Sequence, residues 1–211
     1  ISPDLDTVLY TLGGIANREQ GWGIQGESWR TLERLKSLGG ESWFRLGDLD
    51  LATHLFRTAS LADGQPLSEV AASLARNLQI KTRILPASDQ RLRTRVQTDL
   101  GELDFQHYFV REQCRPKVTA ITFEGASAAG LPSALVEDLE ARPQSFDAVI
   151  IAPSNPFLSI APILAVPGMS ELLRQAAPRV VAVSPIIKGQ ALKGPAAKLM
   201  AELGLPVSAS G

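Results

Sequence analysis

The chain is short of the residues that build cross-links. It has one cysteine, Cys114, and two histidines in 211 residues. A disulfide framework and a cysteine zinc site are both excluded. A lone thiol of this kind reads as an inert core residue. Excess charge is missing as well. Lys+Arg number 21 and Asp+Glu 22, for a net charge of −1. No global field therefore draws the chain to nucleic acid or to an anionic membrane. No apolar run is long enough to span a bilayer, and no signal-peptide pattern is visible, so cytoplasm is the expected location. The opening residue is not Met. The chain begins Ile1-Ser2-Pro3-Asp4-Leu5-Asp6, which reads as a segment of something longer whose first residues carry function. The remaining composition, 45% hydrophobic and 20% charged, suits an ordinary globular protein of one large domain, or a domain with an insertion.

The pattern changes character near Arg115-Pro116. Before it, apolar residues recur at helical spacing. One stripe is Leu5, Val8, Leu9, Leu12 and Ile15. A second is Trp29, Leu32 and Leu35. A third is Leu51, Ala52, Leu55 and Phe56, and a fourth is Leu67, Val70, Ala71, Leu74 and Leu78. Short strands are expected at Thr82-Ile84 and Arg93-Gln97, with a short helix around Phe105-Val110. Residues 1–115 thus read as mainly helical. Residues 116–211 alternate strand and helix. Val118-Phe123 is a strand, and Pro132 to Ala141 a helix. Asp147-Ala152 is a strand buried on both faces, and Met169 to Ala176 a helix. Val180-Val183 is a second buried strand. Pro195 to Leu203 is a helix stopped by Gly204, and Val207-Ser208 starts a third strand. Such alternation predicts an α/β fold, a parallel sheet with helices on its faces.

In a parallel sheet, ligands bind beyond the carboxyl ends of the strands. Two loops leave such ends here: Pro153-Ser154-Asn155-Pro156-Phe157-Leu158-Ser159-Ile160 and Ser184-Pro185-Ile186-Ile187-Lys188-Gly189-Gln190. Proline stiffens both, and their polar groups suit a nucleotide or phosphate. A helix opening at Gly194-Pro195 could add its N-terminus. The plainer reading is that these residues only turn the chain.

At the start of the chain, Ser2 can cap a helix, Pro3 fits its first position and Asp4 complements the dipole. Asp6 has no such explanation. On a regular helix Asp4 and Asp6 do not face each other, so they share one Mg²⁺ only if the segment starts irregularly. The run Arg45-Leu46-Gly47-Asp48-Leu49-Asp50, with Thr53-His54 and Arg57, reads equally as a site or as a capped, solvated helix start. Ser88-Asp89-Gln90 reads as a turn before a strand. Trp22, Trp29, Trp43 and Tyr10 suit a core. Trp22 lies between Gly21 and Gly23, where a flat ligand could stack.

These motifs together resemble the 2-phospho-L-lactate transferase family of the CofD type. The resemblance is carried by Ile1 to Tyr10, Trp22-Gly23-Ile24, Leu46-Gly47-Asp48 with Ala52-Thr53-His54, and Ile84-Leu85-Pro86 with Ser88-Asp89. It continues through Pro153-Ser154-Asn155-Pro156, Ser159-Ile160 with Pro162-Ile163, and Val183 to Ile187. It covers essentially the whole chain in order. It implies a Rossmann-like three-layer α/β/α fold with a helical insertion, placing the acceptor on the 1–115 side and the nucleotide on the 116–211 side of what is expected to be one structural domain. The implied reaction moves a phospholactyl or phosphoenolpyruvyl group from a guanosine diphosphate-linked donor to the deazaflavin Fo, in biosynthesis of coenzyme F-420. GMP leaves and Mg²⁺ is required. Asp6 and Arg45 match the Fo-site residues, with Asp6 the catalytic candidate. Ser154, Asn155, Pro185 and Gly189 match the nucleotide side. Asp4 and Asp6 are the metal candidates. A homodimer is implied; nucleic acid and membrane are not.

Several positions depart from the family pattern. Leu49 stands where Arg is usual, Gln90 where a second Asp is common, and Lys188 where Gly is usual. The family's N-terminal Gly-rich phosphate loop and first strands have no counterpart in these residues, nor does its C-terminal region, so an exposed sheet edge is expected. Two other readings stand beside this one. A non-catalytic relative of the same fold, binding nucleotide-sugars as a regulator, needs no acceptor site. A plain interaction domain binds no nucleotide at all.

Overall fold

In a computed structural model of the chain, residues 2–141, 146–192 and 194–209 are described. The fold is mixed α/β and divides into two compact units, Ile1–Asp89 and Gln90–Gly211. The composition shift at Arg115-Pro116 lies inside the second.

The first unit holds four helices: α1 (Pro3–Leu12), α2 (Arg30–Ser37), α3 (Asp48–Ala62) and α4 (Leu67–Asn77). Leu9, Tyr10, Ile24, Val70, Leu74, Ala75 and Ile84 make its core. The α4 stripe is buried as the sequence predicts, with Val70 and Ala71 fully enclosed. The other stripes are not. On α1 the buried face is Asp6, Leu9 and Tyr10, while Val8 and Leu12 face solvent. On α3 the buried residues are Arg57 and Ser60, and Leu55 is 61% exposed. α2 buries nothing. The apolar count misassigned these faces because a polar pair decides them, as the site shows. Thr82-Ile84 forms no strand; Ile84 instead plugs the helical core.

Helix starts in this unit are capped in exchange. The Asp48 carboxylate accepts from Ser28 Oγ and from the Arg30 and Thr31 amides at 3.1 Å, so the first residue of α3 caps α2. Glu27 in turn accepts from the Leu49 and Asp50 amides at 2.8 and 2.9 Å and caps α3. Gly47 makes this exchange fit: a Cβ there would lie 2.1 Å from Glu27 Cδ. Asp89 accepts from Ser68 N and Oγ and caps α4. Ser2 sits at the N-cap of α1 but makes no side-chain cap.

The second unit begins with β1 (Arg93–Thr98), β2 (Gly101–Asp104) and β3 (Val118–Glu124), a three-stranded antiparallel sheet in the order β2-β1-β3. The Val118-Phe123 strand was expected in a parallel sheet. Its period-two pattern is instead that of an antiparallel strand with one face packed. A π-helical turn at His107–Arg111 replaces the expected short helix, and α5 spans Ser133–Ala141. Two parallel strands follow, β4 (Val149–Ile151) and β5 (Val180–Ala182), with α6 (Ala161–Leu164) and α7 (Met169–Ala176) between them. They are not buried on both faces: Ile150 is 69% exposed and all of β5 faces solvent. Among the described residues β4 and β5 pair only with each other, so their apolar sides lack the covering layers a parallel sheet needs.

β6 (Ile186–Ile187) and β7 (Gln190–Ala191) form a hairpin, and α8 (Ala196–Glu202) packs under it. Gly204, at φ 73, ends the helix as expected. Val207-Ser208 is not a strand. The Ser208 amide turns back to the Pro206 carbonyl, and Val207 packs on the Ile186, Ala196 and Met200 cluster. Val96, Tyr108, Val118, Leu158 and Leu199 form the main core here. Cys114 is half-buried and its thiol is pushed up by burial, consistent with an unreactive residue.

Candidate active site

Asp50, His54 and Arg57 follow one another on α3 at spacings of four and three, so they project from one face of the helix. Asp6 and Tyr10 do the same on α1. The two faces meet. Arg57 donates through both terminal nitrogens to the two oxygens of Asp6, one at 3.2 Å. His54 Nε2 lies 3.5 Å from Asp6 Oδ2 and 3.5 Å from Asp50 Oδ1. Tyr10 donates to Asp50 Oδ1 at 2.6 Å. Asp6 and Arg57 are 5% and 4% exposed. The Arg57 Nε is buried with no partner among the described residues.

These contacts set the protonation states. Burial alone raises the Asp6 carboxyl, but hydrogen bonds and charge from His54 and Arg57 outweigh it and hold the group below the usual carboxylate range. Asp6 is thus an ionised acceptor at neutral pH. Burial, then the bond to Asp50, pushes the Tyr10 phenol well up, so Tyr10 stays a donor. One oxygen each from Asp6 and Asp50 and one nitrogen of His54 lie within 4.8 Å of one another.

Asp4 is not part of this group. α1 is regular from Pro3, so Asp4 points away and lies at the surface while Asp6 is buried. The structure does not bring the two together. The Arg45 guanidinium lies 4.5 Å from the centre of the Trp29 ring. Trp29 meets Trp22 edge to face at 6.1 Å. Trp22 and Tyr10 line a cavity of about 160 Å³ with Thr7, Thr11 and Arg18.

In the second unit, β4 and β5 are parallel, so the loops after them leave the same edge. In the first loop, Asn155 Oδ1 accepts from the Phe157 and Leu158 amides at 3.0 and 3.1 Å and caps a π-helical turn, Pro156–Ile160. Its Nδ2 is buried and unpartnered among the described residues. The second loop is largely the β6–β7 hairpin. Ser184 Oγ accepts from the Ile186 amide at 3.2 Å and Pro185 leads into β6. Lys188 and Gly189 form its two-residue turn with φ 51 and 74, the double positive φ of a type I′ turn. Ser154 precedes the Asn155 cap and is half-buried.

Asp50, His54 and Arg57 were visible in the sequence as a charged run, and their helical spacing was the signal that could have joined them to Asp6.

The family model of 2-phospho-L-lactate transferase CofD matches residues 1–209. The chain belongs to this family. The chain is similar to several proteins named as transferases. It is 41% identical over 211 residues to the 2-phospho-L-lactate transferase of Methanococcoides burtonii, covering 100% of this chain and 67% of that protein. It is 42% identical over 216 residues to the phosphoenolpyruvate transferase of Streptomyces griseus, covering 100% of this chain and 66% of that protein. The chain therefore spans about two thirds of the length of these relatives. A crystal structure of a Bacillus halodurans protein superposes with a TM-score of 0.54 at 17% identity, covering 95% of this chain and 61% of that one. That likeness shows the fold alone, and it agrees with the mixed α/β architecture. No single helix among the described residues is long and apolar enough to cross a membrane.

Proposed function

We propose that this chain is part of a cytoplasmic transferase that moves a phospholactyl or phosphoenolpyruvyl group from a guanosine diphosphate-linked donor to the deazaflavin Fo, releasing GMP, in biosynthesis of coenzyme F-420. The observation that carries the reading is the ionised Asp6, buried and fixed in place by Arg57 and His54. Family membership supplies the reaction class, and relatives bearing both donor names are equally similar, so both donors stay open.

In this reading the side-chain hydroxyl of Fo attacks the β-phosphorus of the donor. The new O–P bond forms as the bond to the GMP oxygen breaks, and the hydroxyl proton leaves to an acceptor. A carboxylate held below its usual range is a weak base, so Asp6 serves chiefly to accept the hydroxyl's hydrogen bond and aim its oxygen. Orientation of this kind is a large share of catalysis in phosphoryl transfer. Arg45, steadied on Trp29, is the second acceptor-site group. Ser154, Asn155, Pro185 and Gly189 are assigned to the nucleotide side. The buried, unpartnered Asn155 Nδ2 supports that assignment, because such a donor is costly unless a ligand meets it.

The donor set fits a divalent cation. Carboxylates are the ligands Mg²⁺ takes from protein, and one oxygen each of Asp6 and Asp50 lies within 4.8 Å of the other and of a His54 nitrogen. Asp6 and Asp50 would hold the ion; Asp4 would not. Bound Mg²⁺ would offset the diphosphate charge. A homodimer is part of the proposal.

The test is a titration of the intact protein into Fo, followed by deazaflavin fluorescence with Mg²⁺ and GDP present. Saturable binding that weakens in Asp6→Asn and Arg45→Ala supports the reading. GDP binding without Fo binding would replace it with the regulatory one.

A further inference from the structure

Each carboxylate of the cation site is held by a donor from the opposite helix. α1 carries Asp6 and Tyr10, four residues apart, and α3 carries Asp50 and Arg57, seven apart, so each pair lies on one helix face. Arg57 donates to Asp6 through two nitrogens, and Tyr10 donates to Asp50 Oδ1 at 2.6 Å. The bonds are thus reciprocal: acid and donor on one helix meet donor and acid on the other. His54 stands between, its Nε2 3.5 Å from an oxygen of each acid.

The two braces differ in kind. Arg57 brings a full charge to Asp6, whose side chain is 7% exposed, and so offsets the cost of an ion taken out of water. Tyr10 brings no charge to Asp50, whose side chain is 14% exposed. What it brings is position. Tyr10 is 3% exposed and packed in the core with Leu9, Val70 and Leu74, so its hydroxyl is a fixed point. The Asp50 amide is tied as well, donating to Glu27 Oε1 at 2.9 Å. Asp50 is therefore anchored at its backbone by the exchanged cap and at its carboxylate by the core. The plain use of such a bond is to satisfy a buried phenol. A water or a backbone carbonyl would meet that need equally. The acceptor here is instead one of three side chains, Asp6, Asp50 and His54, whose ligand atoms lie within 4.8 Å of one another. Carboxylates at that range repel when both are ionised, and an untethered Asp50 would turn out to solvent.

We infer that Tyr10 is the positioning residue of the cation site: its hydroxyl holds Asp50 toward Asp6, so that both acids meet one small divalent ion. The inference rests on the transferase reading and its Mg²⁺, and it adds what selects the ion. Mg²⁺ keeps short bonds in a near-octahedral shell, whereas Ca²⁺ accepts longer bonds and a looser geometry. Two acids fixed in place suit the first. One fixed acid and one free arm accommodate the second as well.

Mn²⁺ binding to the intact protein, followed by electron paramagnetic resonance with Mg²⁺ and Ca²⁺ as competitors, tests it. Tyr10→Phe keeps the ring in the core and removes only the hydroxyl. Mg²⁺ and Mn²⁺ affinity falls about tenfold, the order expected when a group that orients a metal ligand is lost, while Ca²⁺ affinity stays within about threefold. Asp50→Asn weakens all three ions, and adding Tyr10→Phe to it costs little more, because the tyrosine acts through Asp50. A purely structural Tyr10 would instead weaken the three ions together in Tyr10→Phe, which overturns the assignment. Mg²⁺ binding to Tyr10→Phe as tight as to the unmodified protein also overturns it, and with Fo still bound by the unmodified protein the transferase reading stands. Fo binding without Mn²⁺ binding to the unmodified protein overturns the cation site and the brace. Absence of both overturns the transferase reading with them.

Discussion

Asp6 and Arg57, 51 residues apart in the chain, form a buried two-bond pair that ties α1 to α3. It explains why α3 buries Arg57 and Ser60 and leaves Leu55 in solvent. Leaving one charge of such a pair unmatched in the interior is expensive, whereas replacing both by apolar groups costs little. Arg57→Met should therefore lower stability by about 3 kcal/mol, and Asp6→Leu/Arg57→Met should recover most of it. Urea melts of the single and double variants check this. Equal losses in both would show that the pair does not organise the helices.

The exchanged caps make a second prediction. Gly47→Ala pushes a methyl into Glu27 and frees the first amides of α3, at a cost of about 1 kcal/mol. Glu27→Ala should cost about the same, and the double variant little more, because both lose one cap. Thermal melts distinguish this from independent, additive losses.

Acid should reveal the two depressed carboxylates. Bonds from Ser28 and then Thr31 bring Asp48 down to about 2, and Asp6 is also held low. A carboxyl whose folded value is depressed binds its proton less readily in the native state. Its stabilisation is complete above the unfolded value of about 3.9 and is lost as pH falls through the folded one. Stability should fall from about pH 4 downward, and for Asp48 the loss runs to about 2. Asp48→Asn should flatten the part of that limb due to this site, modestly, because the group is solvent-screened. Melting temperatures across the range measure it.

In the hairpin, Lys188 holds φ 51, in the left-handed region that suits glycine. A side chain there costs strain that glycine avoids, set against glycine's looser unfolded chain. Lys188→Gly should raise stability by up to about 1 kcal/mol, and Lys188→Val should lower it by more. No change in either would mean that the turn is not formed as described.

Asn155 offers a probe of the nucleotide side. Asn155→Asp keeps the oxygen that caps Phe157 and Leu158 and removes the buried Nδ2 donor. The melting temperature should hold while GDP affinity falls about tenfold, the loss expected when one buried donor to a ligand is removed. Calorimetric titration with GDP decides it.

What the sequence made legible follows from what each signal encodes. α7 and the α4 core were readable because period and burial agree there. The parallel pairing of β4 and β5 was readable from the helices between them. The alternation of Val118-Phe123 predicts a strand but does not name its partner, and β3 pairs antiparallel with β1; Val207-Ser208 has strand-like composition but no strand to pair with among the described residues. At the site, Asp6 stood out because the helix had no structural use for it. Its partners Asp50, His54 and Arg57 showed only as a charged run that reads equally as a site or a solvated helix start, because stripe counting looks for apolar faces, and the face that α3 buries carries Arg57 and Ser60. The Asp4–Asp6 pairing failed because it required an irregular start, and α1 is regular from Pro3.

The central claim, that Asp6 aims the Fo hydroxyl in phosphoryl-group transfer, is tested most directly by turnover of the intact protein. Fo and a guanosine diphosphate-linked lactate or enolpyruvate donor are supplied with Mg²⁺, and GMP release is followed. Asp6→Asn, which keeps the shape and removes the charge, should turn over at least about tenfold more slowly with an unchanged circular dichroism spectrum. Turnover at the unmodified rate in that variant would contradict the account.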